Sequence, residues 1–229
     1  MDPEGIIKKL KSFKNPKNVE GMARFGINPK YALGINIPIL RKLAKDINKD
    51  PRYKNNSYKL HQLAQGLWKS KIHEARILAG MVEASDLVTE KQMDSWTKDF
   101  NSWDLCDQTC MNLFWKHPDA YKKARIWTKL KPEFERRAGF SLMAVLAWHD
   151  KNASDTKFEK FFPFIKNCVT DERNYVKKAV NWALRQIGKR NPYLKEKSKD
   201  LAKEITISFP NSKSAQWIAK DALRELNQR

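Results

Sequence analysis

Trp103 and Asp107 stand four residues apart in the segment Asn101–Gln108. In a helix this spacing places two side chains on the same side, one turn apart. A carboxylate in such a position can stabilise a developing positive charge or accept a proton from water, and an indole face attracts cations. Asp107 lies too far into the helix to act as its cap, so the sequence predicts a chemical role for its carboxylate.

The residues around this pair predict the helix that carries it. Ser102 suits an N-cap and Asp104 suits a first turn. The residues expected to form the buried stripe of this helix are Leu105, Cys106, Thr109, Cys110 and Leu113. A second interpretation of Asp107 stays open, in which it forms an ion pair with an arginine elsewhere in the chain, such as Arg137; the two roles are compatible.

Trp182 lies off the apolar face of its helix, between Lys178 one turn before it and Arg185 one turn after it. An indole between two cations can stack on an aromatic ligand while the cations bind phosphate. The alternative is that Trp182 packs against the next helix.

Arg137 flanks the apolar stripe of its own helix. It either contacts a ligand or is simply exposed to solvent.

The segment Asn174–Arg190 shows the helical pattern most clearly. Its apolar residues trace one helix face, at Val176, Ala179, Val180, Ala183, Leu184 and Ile187. Asn191–Pro192 ends the pattern because proline cannot continue a helix. The same template fits residues 72–79, 134–146 and 215–223. No run of alternating β-branched residues predicts a strand, so the chain is predicted to be all-α, with Xaa–Pro pairs such as Phe162–Pro163 between helices.

The helical segments repeat. Ala138 matches Ala179, 41 residues later, and the triplet 183–185 matches 222–224, 39 residues later. A period of about 40 residues is typical of HEAT-like helical repeats. We therefore expect repeats stacked as a curved α–α superhelix with an extended concave groove, in a single domain over residues 1–229, because no linker interrupts the chain.

The charge of the chain predicts a polyanionic partner. Its 229 residues include 45 Lys and Arg against 26 Asp and Glu, a net charge of +19. A surplus of this size favours nucleic acid as the partner and predicts that the concave groove is basic. With 41% hydrophobic residues the chain can build a core, which excludes intrinsic disorder.

The sequence shows no signal for a membrane or for export. No stretch approaches the roughly 20 apolar residues of a membrane span, and the N-terminus lacks the apolar core of a secretory signal. The cysteines Cys106, Cys110 and Cys168 are an odd number and suit a reducing compartment. No histidine and cysteine spacing predicts a metal site. We expect a cytoplasmic monomer with no metal or other cofactor, which associates with the nucleoid if its nucleic-acid partner is DNA.

Several of these segments together resemble the AlkD-type DNA alkylation-repair glycosylases. The resemblance extends over nearly the whole chain, in the segments Met22–Phe25, Leu33–Ile35, Asn101–Asp107, Arg137–Ala138, Tyr175–Pro192 and Trp217–Arg224. The segments around Trp103 and Trp182 are the most specific, because a generic HEAT-like protein does not need them.

The resemblance implies an enzyme of base-excision repair that removes cationic N3- and N7-alkylated purines from double-stranded DNA without a deep base-flipping pocket. By position, Asp107 matches the catalytic carboxylate, Trp103 and Trp182 the paired aromatic residues, and Arg137 the assisting arginine. Arg185 is expected to contact the DNA backbone, and Lys178 to hold a phosphate beside it. Phe25 stands where some relatives have tyrosine, so a hydroxyl contact is lost at this DNA-binding position.

Two other functions fit the same features. Relatives of this fold without glycosylase activity make a non-catalytic HEAT-like scaffold for DNA or RNA the main alternative. A protein-interaction array with an acidic partner is the second. Release of free 7-methylguanine from methylated DNA separates the enzyme from the scaffold, and an interaction array would show no salt-dependent binding to DNA.

Overall fold

The computed structural model describes residues 2–228 of the chain. These residues form α-helices joined by turns and two short 3-10 segments, and they include no β-strand, which confirms the all-α prediction. Within the same residues no helix is both long and apolar enough to cross a membrane.

The contacts divide the described chain into two compact units, one ending at His117 and the other beginning at Pro118. The prediction of one domain over residues 1–229 stays a prediction. The first unit contains α1 (Pro3–Ser12), α2 (Pro16–Arg24), α3 (Ile37–Lys49), α4 (Ser57–Lys69), α5 (His73–Val82), α6 (Glu90–Lys98) and α7 (Trp103–Asn112). The second contains α8 (Ala120–Trp127), α9 (Glu133–His149), α10 (Asp155–Glu159), α11 (Phe162–Asn167), α12 (Asn174–Gly188), α13 (Pro192–Ser208) and α14 (Lys213–Asn227).

Helix α12 is the centre of the second unit and packs against α9, α13 and α14. All the residues of its predicted apolar face are fully buried, as the 3.6-residue period requires. The helix ends at Gly188 and the next begins with Pro192, which confirms the predicted stop.

Helices α8 and α9 approach each other closely at Gly139 of α9. A Cβ added to this residue would lie 2.6 Å from the backbone nitrogen of Thr128, so only glycine permits this approach.

Helix α5 takes the central place in the first unit, between α3, α4 and α7. Sequence periodicity predicted one buried face for residues 72–79, but nearly all of α5 is buried, including the charged Glu74 and Arg76. Neighbours on several sides cover the helix, and its charged side chains are hydrogen-bonded within the unit. Ile72 lies just before the helix and not within it.

Hydrogen bonds between successive repeats confirm the period found in the sequence. Arg137 donates to the carbonyl of Tyr175, 38 residues later, and the amide of Asn181 donates to the carbonyl of Ile218, 37 residues later. In the first unit the carboxylate of Glu74 accepts from the backbone of Gly34, 40 residues earlier. The repeat spacing therefore also occurs in the N-terminal half of the chain.

One predicted boundary is wrong. Phe162–Pro163 does not lie between helices but begins α11, with the proline in its first turn. Proline is tolerated there because the first N–H groups of a helix have no partner within the helix.

Candidate functional site

Helix α7 carries Trp103 as its first residue and Asp107 one turn later. Ser102 is the N-cap residue, and the predicted stripe is buried against α5. An added Cβ on Gly80 of α5 would lie 3.6 Å from the Cα of Thr109, so the two helices approach closely. Both Trp103 and Asp107 are half-buried, and the close packing of α5 on α7 holds them on a rigid element.

The indole of Trp103 is fixed by a hydrogen bond. Its Nε1 donates to the backbone carbonyl of Phe25 at 3.0 Å, which connects α7 to the end of α2. The indole has no second polar hydrogen, so only its ring can interact with a ligand. The side chain of Phe25 is 75% exposed, and both aromatic rings line a cleft of about 610 Å³ within the first unit. Phe25 thus presents an exposed apolar ring at the edge of this cleft.

A buried histidine holds the first turn of α7. His73, 4% exposed, donates from Nε2 to Oδ2 of Asp104 at 2.8 Å. Burial opposes ionisation of Asp104, but the hydrogen bond and charge of His73 outweigh it and place the pKa of Asp104 below its ordinary value. This bond joins the N-terminal turn of α5 to that of α7, next to Trp103.

The following residue, Glu74, holds the loop before α3. Its carboxylate is 1% exposed and accepts the backbone N–H groups of Leu33, Gly34 and Ile35 at 2.8, 2.7 and 3.2 Å. Gly34 has φ +79°, and an added Cβ would lie 2.2 Å from the carbonyl oxygen of Asn15. Glycine is needed there because other residues rarely adopt this backbone conformation.

These bonds form a closed circuit around the cleft. Asn18 of α2 donates to the carbonyl of Gly34 at 2.9 Å, Glu74 connects that loop to α5, His73 connects α5 to α7, and Trp103 connects α7 back to the end of α2. The position of Trp103 is held from two sides, by the carbonyl of Phe25 and through the bond between His73 and Asp104, so a change at either link is expected to disturb it.

The second unit carries the remaining predicted residues on α9 and α12. Arg137 is 6% exposed and donates from Nη1 to the carbonyl of Tyr175 at 2.6 Å, so it is not a solvated arginine. Trp182 is half-buried in the third turn of α12, and Lys178 is exposed one turn before it. The sequence is therefore right that Trp182 lies outside the buried stripe and next to an exposed cation.

Arg185 has carboxylate partners of its own. It forms ion pairs with Glu225 and, at 3.6 Å, with Asp221 of α14. Lys189 also pairs with Glu225. Burial opposes ionisation of Glu225, but Lys189 and Arg185 outweigh it and hold its pKa below the ordinary value. A phosphate would have to compete with these carboxylates for Arg185, whose role in DNA binding stays a prediction.

The predicted residues thus fall into two groups. Phe25, Trp103 and Asp107 belong to the first unit, and Arg137, Lys178, Trp182 and Arg185 belong to the second. Sequence reasoning missed His73 and Glu74 because no local pattern reveals a bond to a residue 31 or 40 positions away. No cluster of three or more His, Cys, Asp or Glu residues in the part of the chain that the structure describes could hold a metal ion.

The bond between His73 and Asp104 predicts a pH-dependent stability. A carboxyl group whose pKa is depressed in the folded state stabilises the fold above its unfolded pKa of about 3.9, and this stability is lost as the pH falls through the folded pKa. In urea unfolding, Asp104→Asn should therefore be less stable than the parent at pH 7, and the difference should shrink at pH 3.

The exposed carboxylate of Asp86 provides the control in the same unit. Asp86→Asn should unfold like the parent at both pH values. A loss of stability in Asp104→Asn that is equal at pH 7 and pH 3 would contradict the assigned role of the ionised carboxylate.

Comparisons with known proteins show the family and the fold of the chain. The family model described as DNA alkylation repair enzyme matches residues 6–223, a range that includes both units. Comparison with curated proteins found no match. A solved structure is similar at 20% identity, with a TM-score of 0.76, over 89% of this chain and 83% of that chain. It comes from a family of proteins related to the HEAT-like repeat DNA glycosylases with affinity for branched DNA structures. This similarity confirms the HEAT-like fold, and the match of the family model shows that the chain belongs to the DNA alkylation repair enzyme family.

Proposed function

We propose that this protein is a monofunctional DNA glycosylase of base-excision repair. Its substrate is double-stranded DNA that contains a cationic N3- or N7-alkylated purine, such as 3-methyladenine or 7-methylguanine. It hydrolyses the N-glycosidic bond of that purine without deep base flipping. The observation that carries the proposal is the pair on α7, where an indole with its N–H group occupied stands one turn from a carboxylate, in a member of a DNA alkylation repair family.

The chemistry of the substrate explains why these groups suffice. Alkylation at N3 or N7 gives the purine a positive charge, so the base leaves with the electron pair of the C1′–N bond as a neutral molecule and needs no strong acid. Positive charge then develops on the deoxyribose, as in glycoside hydrolysis in general. Asp107 stabilises this charge and directs a water molecule to C1′. The water loses its proton to the carboxylate or to solvent, and the products are the free base and an abasic site.

The other residues bind and orient the substrate. The faces of Trp103 and Trp182 attract the cationic nucleotide, a contribution of about 0.5–2 kcal/mol for each ring, depending on desolvation. The exposed Lys178 holds the phosphate backbone, and Arg185 does so by exchanging its ion pairs with Asp221 and Glu225 for a phosphate. Arg137 is the assisting arginine, and Phe25 contacts the DNA near the lesion. No lysine forms a covalent intermediate and no cofactor takes part. We propose that the protein acts as a cytoplasmic monomer at the nucleoid.

The proposal is tested by incubating the protein with methylated duplex DNA and measuring the free bases. We expect release of 7-methylguanine and 3-methyladenine, together with abasic sites that break only on treatment with alkali. If the strand is cut without alkali, the enzyme is not monofunctional. If no base is released while the DNA is bound, the proposed reaction is wrong.

A non-catalytic DNA-binding scaffold is the second candidate. It is favoured by the similar solved structure, which comes from a family with affinity for branched DNA structures. A scaffold would bind DNA with an affinity that falls steeply with salt, by a log–log slope of about −0.9 for each phosphate neutralised, but it would release no base. The excision assay therefore decides between the two candidates.

A further inference from the structure

The cations of α12 and α14 divide into two groups with different surroundings. Towards the C-terminal ends of the two helices, Arg185, Lys189 and Arg224 form ion pairs with Asp221 and Glu225. These three cations share two carboxylates, so most of their charge is compensated within the repeat. These cations would have to break existing ion pairs before they could bind a phosphate.

The second group surrounds an exposed tryptophan nearer the N-terminal ends of the same helices. Trp217 of α14 is 39% exposed. Lys213 and Lys220, one turn before and one turn after it, are exposed on the same side of the helix. Lys177 of α12 places its Nζ 5.5 Å from the centroid of the indole ring. We call Trp217 with these three lysines the Trp217 cluster.

The lysines of this cluster form no ion pairs in the described part of the chain, although Glu172 binds the backbone N–H of Ser214 beside Lys213 and Asp221 directly follows Lys220. Among residues 2–228, none of the three has an ion pair with a carboxylate, in contrast to the arginines and the lysine at the other end of the two helices. A cluster of cations without ion pairs attracts an anion, and the partly exposed indole of Trp217 among them offers a flat surface on which a ring can stack. Phosphates and bases together satisfy both features.

Whether the bases are paired or unpaired determines which nucleic acid can bind the Trp217 cluster. In a duplex the bases are stacked on one another and their faces are covered, so an indole can stack only on a base that has lost its neighbour. The lysines, in contrast, can bind the phosphates of any strand. Aromatic rings beside a basic track are the usual means by which proteins hold unpaired bases.

We infer that the Trp217 cluster is a second DNA contact, which stacks an unpaired base on Trp217 and holds the adjoining phosphates with Lys177, Lys213 and Lys220. The inference rests on the proposed function in taking DNA as the ligand, but it does not depend on base excision. It gives the protein a preference for DNA with unpaired bases at a fork or junction over continuous duplex of equal length.

Undamaged DNA is used for the test, so the result does not depend on whether the protein excises bases. Affinity for a forked DNA and for a fully paired duplex of the same length is measured at one salt concentration. The parent should bind the fork more tightly. Trp217→Ala should weaken binding to the fork about 5- to 100-fold, the range found when a base-stacking aromatic residue is removed, and should abolish the preference.

Trp148 provides the matched control, because it is 50% exposed at the end of α9 but has a histidine ring, His149, beside it and not a lysine. Trp148→Ala should keep the parental preference. Trp217→Leu retains apolar volume but has no ring, so it should lose the preference while its unfolding temperature stays near that of the parent. This variant therefore shows whether the preference for the fork depends on base stacking or only on the stability of the fold.

Three results would overturn the inference. The parent could bind fork and duplex equally, Trp217→Leu could keep the full preference, or Trp217→Ala could lose affinity for fork and duplex by the same factor. The last result would show that Trp217 contacts paired DNA. Binding of an acidic peptide in competition with DNA at this cluster would instead favour a protein partner.

Discussion

Replacing Asp107 by asparagine is expected to lower the excision of N3- or N7-methylpurines about 10- to 1000-fold. This loss corresponds to an electrostatic stabilisation of roughly 1.4–4 kcal/mol in the transition state. Asparagine has nearly the same volume as aspartate, so the change removes the charge without opening a cavity. DNA affinity should stay near the parental value or rise slightly, because a negative charge near the phosphates has been removed.

Single-turnover excision from a methylated duplex, combined with a separate binding measurement, distinguishes these effects. Asp86→Asn removes an exposed carboxylate of the same unit and should excise at the parental rate. If Asp107→Asn excises as well as the parent, Asp107 is not the catalytic carboxylate. If the variant unfolds, the second interpretation of Asp107 is favoured, in which it forms an ion pair with Arg137, because a broken buried pair costs about 3–5 kcal/mol.

Of the substitutions proposed for this protein, Glu74→Ala should lower the free energy of unfolding the most, by at least about 3 kcal/mol. The carboxylate accepts three backbone N–H groups and is almost fully buried. Without it these groups stay buried without partners, at a cost of about 1–3 kcal/mol each. Urea unfolding followed by circular dichroism measures the change in the free energy of unfolding.

Glu20 of α2 offers a control because its side chain is exposed. Glu20→Ala should change the free energy of unfolding by no more than about 0.5 kcal/mol. A loss below about 1 kcal/mol in Glu74→Ala would contradict the assigned role and would mean that the loop at residues 33–35 finds other partners. Glu74→Gln should fall between the parent and the alanine variant, because an amide has one acceptor oxygen in place of two.

The two predictions concern different parts of one arrangement. Asp107 is proposed to act on the substrate, whereas Glu74 of α5 holds the loop at residues 33–35, between α2 and α3. The hydrogen-bond circuit joins Glu74 to Trp103 through His73 and Asp104. A partly folded Glu74 variant should therefore also excise more slowly, since a catalytic group needs its position held within a fraction of an ångström.

The helices and their repeat could be predicted from the sequence because helical periodicity is a local property. Val176 and Ile187 lie on the buried face of α12 as their spacing required, and Ala215 and Ala222 do so on α14. Trp103 and Asp107 also share a helix as predicted. A pattern of this kind depends on the rotation per residue alone, so it needs no knowledge of the neighbouring helices.

The contacts of each helix depend on which other helices pack against it, and residue types alone do not determine this packing. Glu74 and Arg137 are charged, and yet they are buried, because backbone groups from other segments lie within their reach. The sequence placed Arg185 beside Trp182 as a cation for phosphate, but α14 brings Glu225 against it.

The sequence by itself determined the all-α class, the period of the repeat, the family and the helix that carries Trp103 and Asp107. Only the tertiary structure decided that the backbone carbonyl of Phe25 accepts from the indole N–H of Trp103, that His73 holds the start of α7, and which cations have carboxylate partners. The physical reason is that helix formation is governed by neighbours within a few residues. Hydrogen bonds and ion pairs between repeats instead join residues that packing brings together from far apart in the chain.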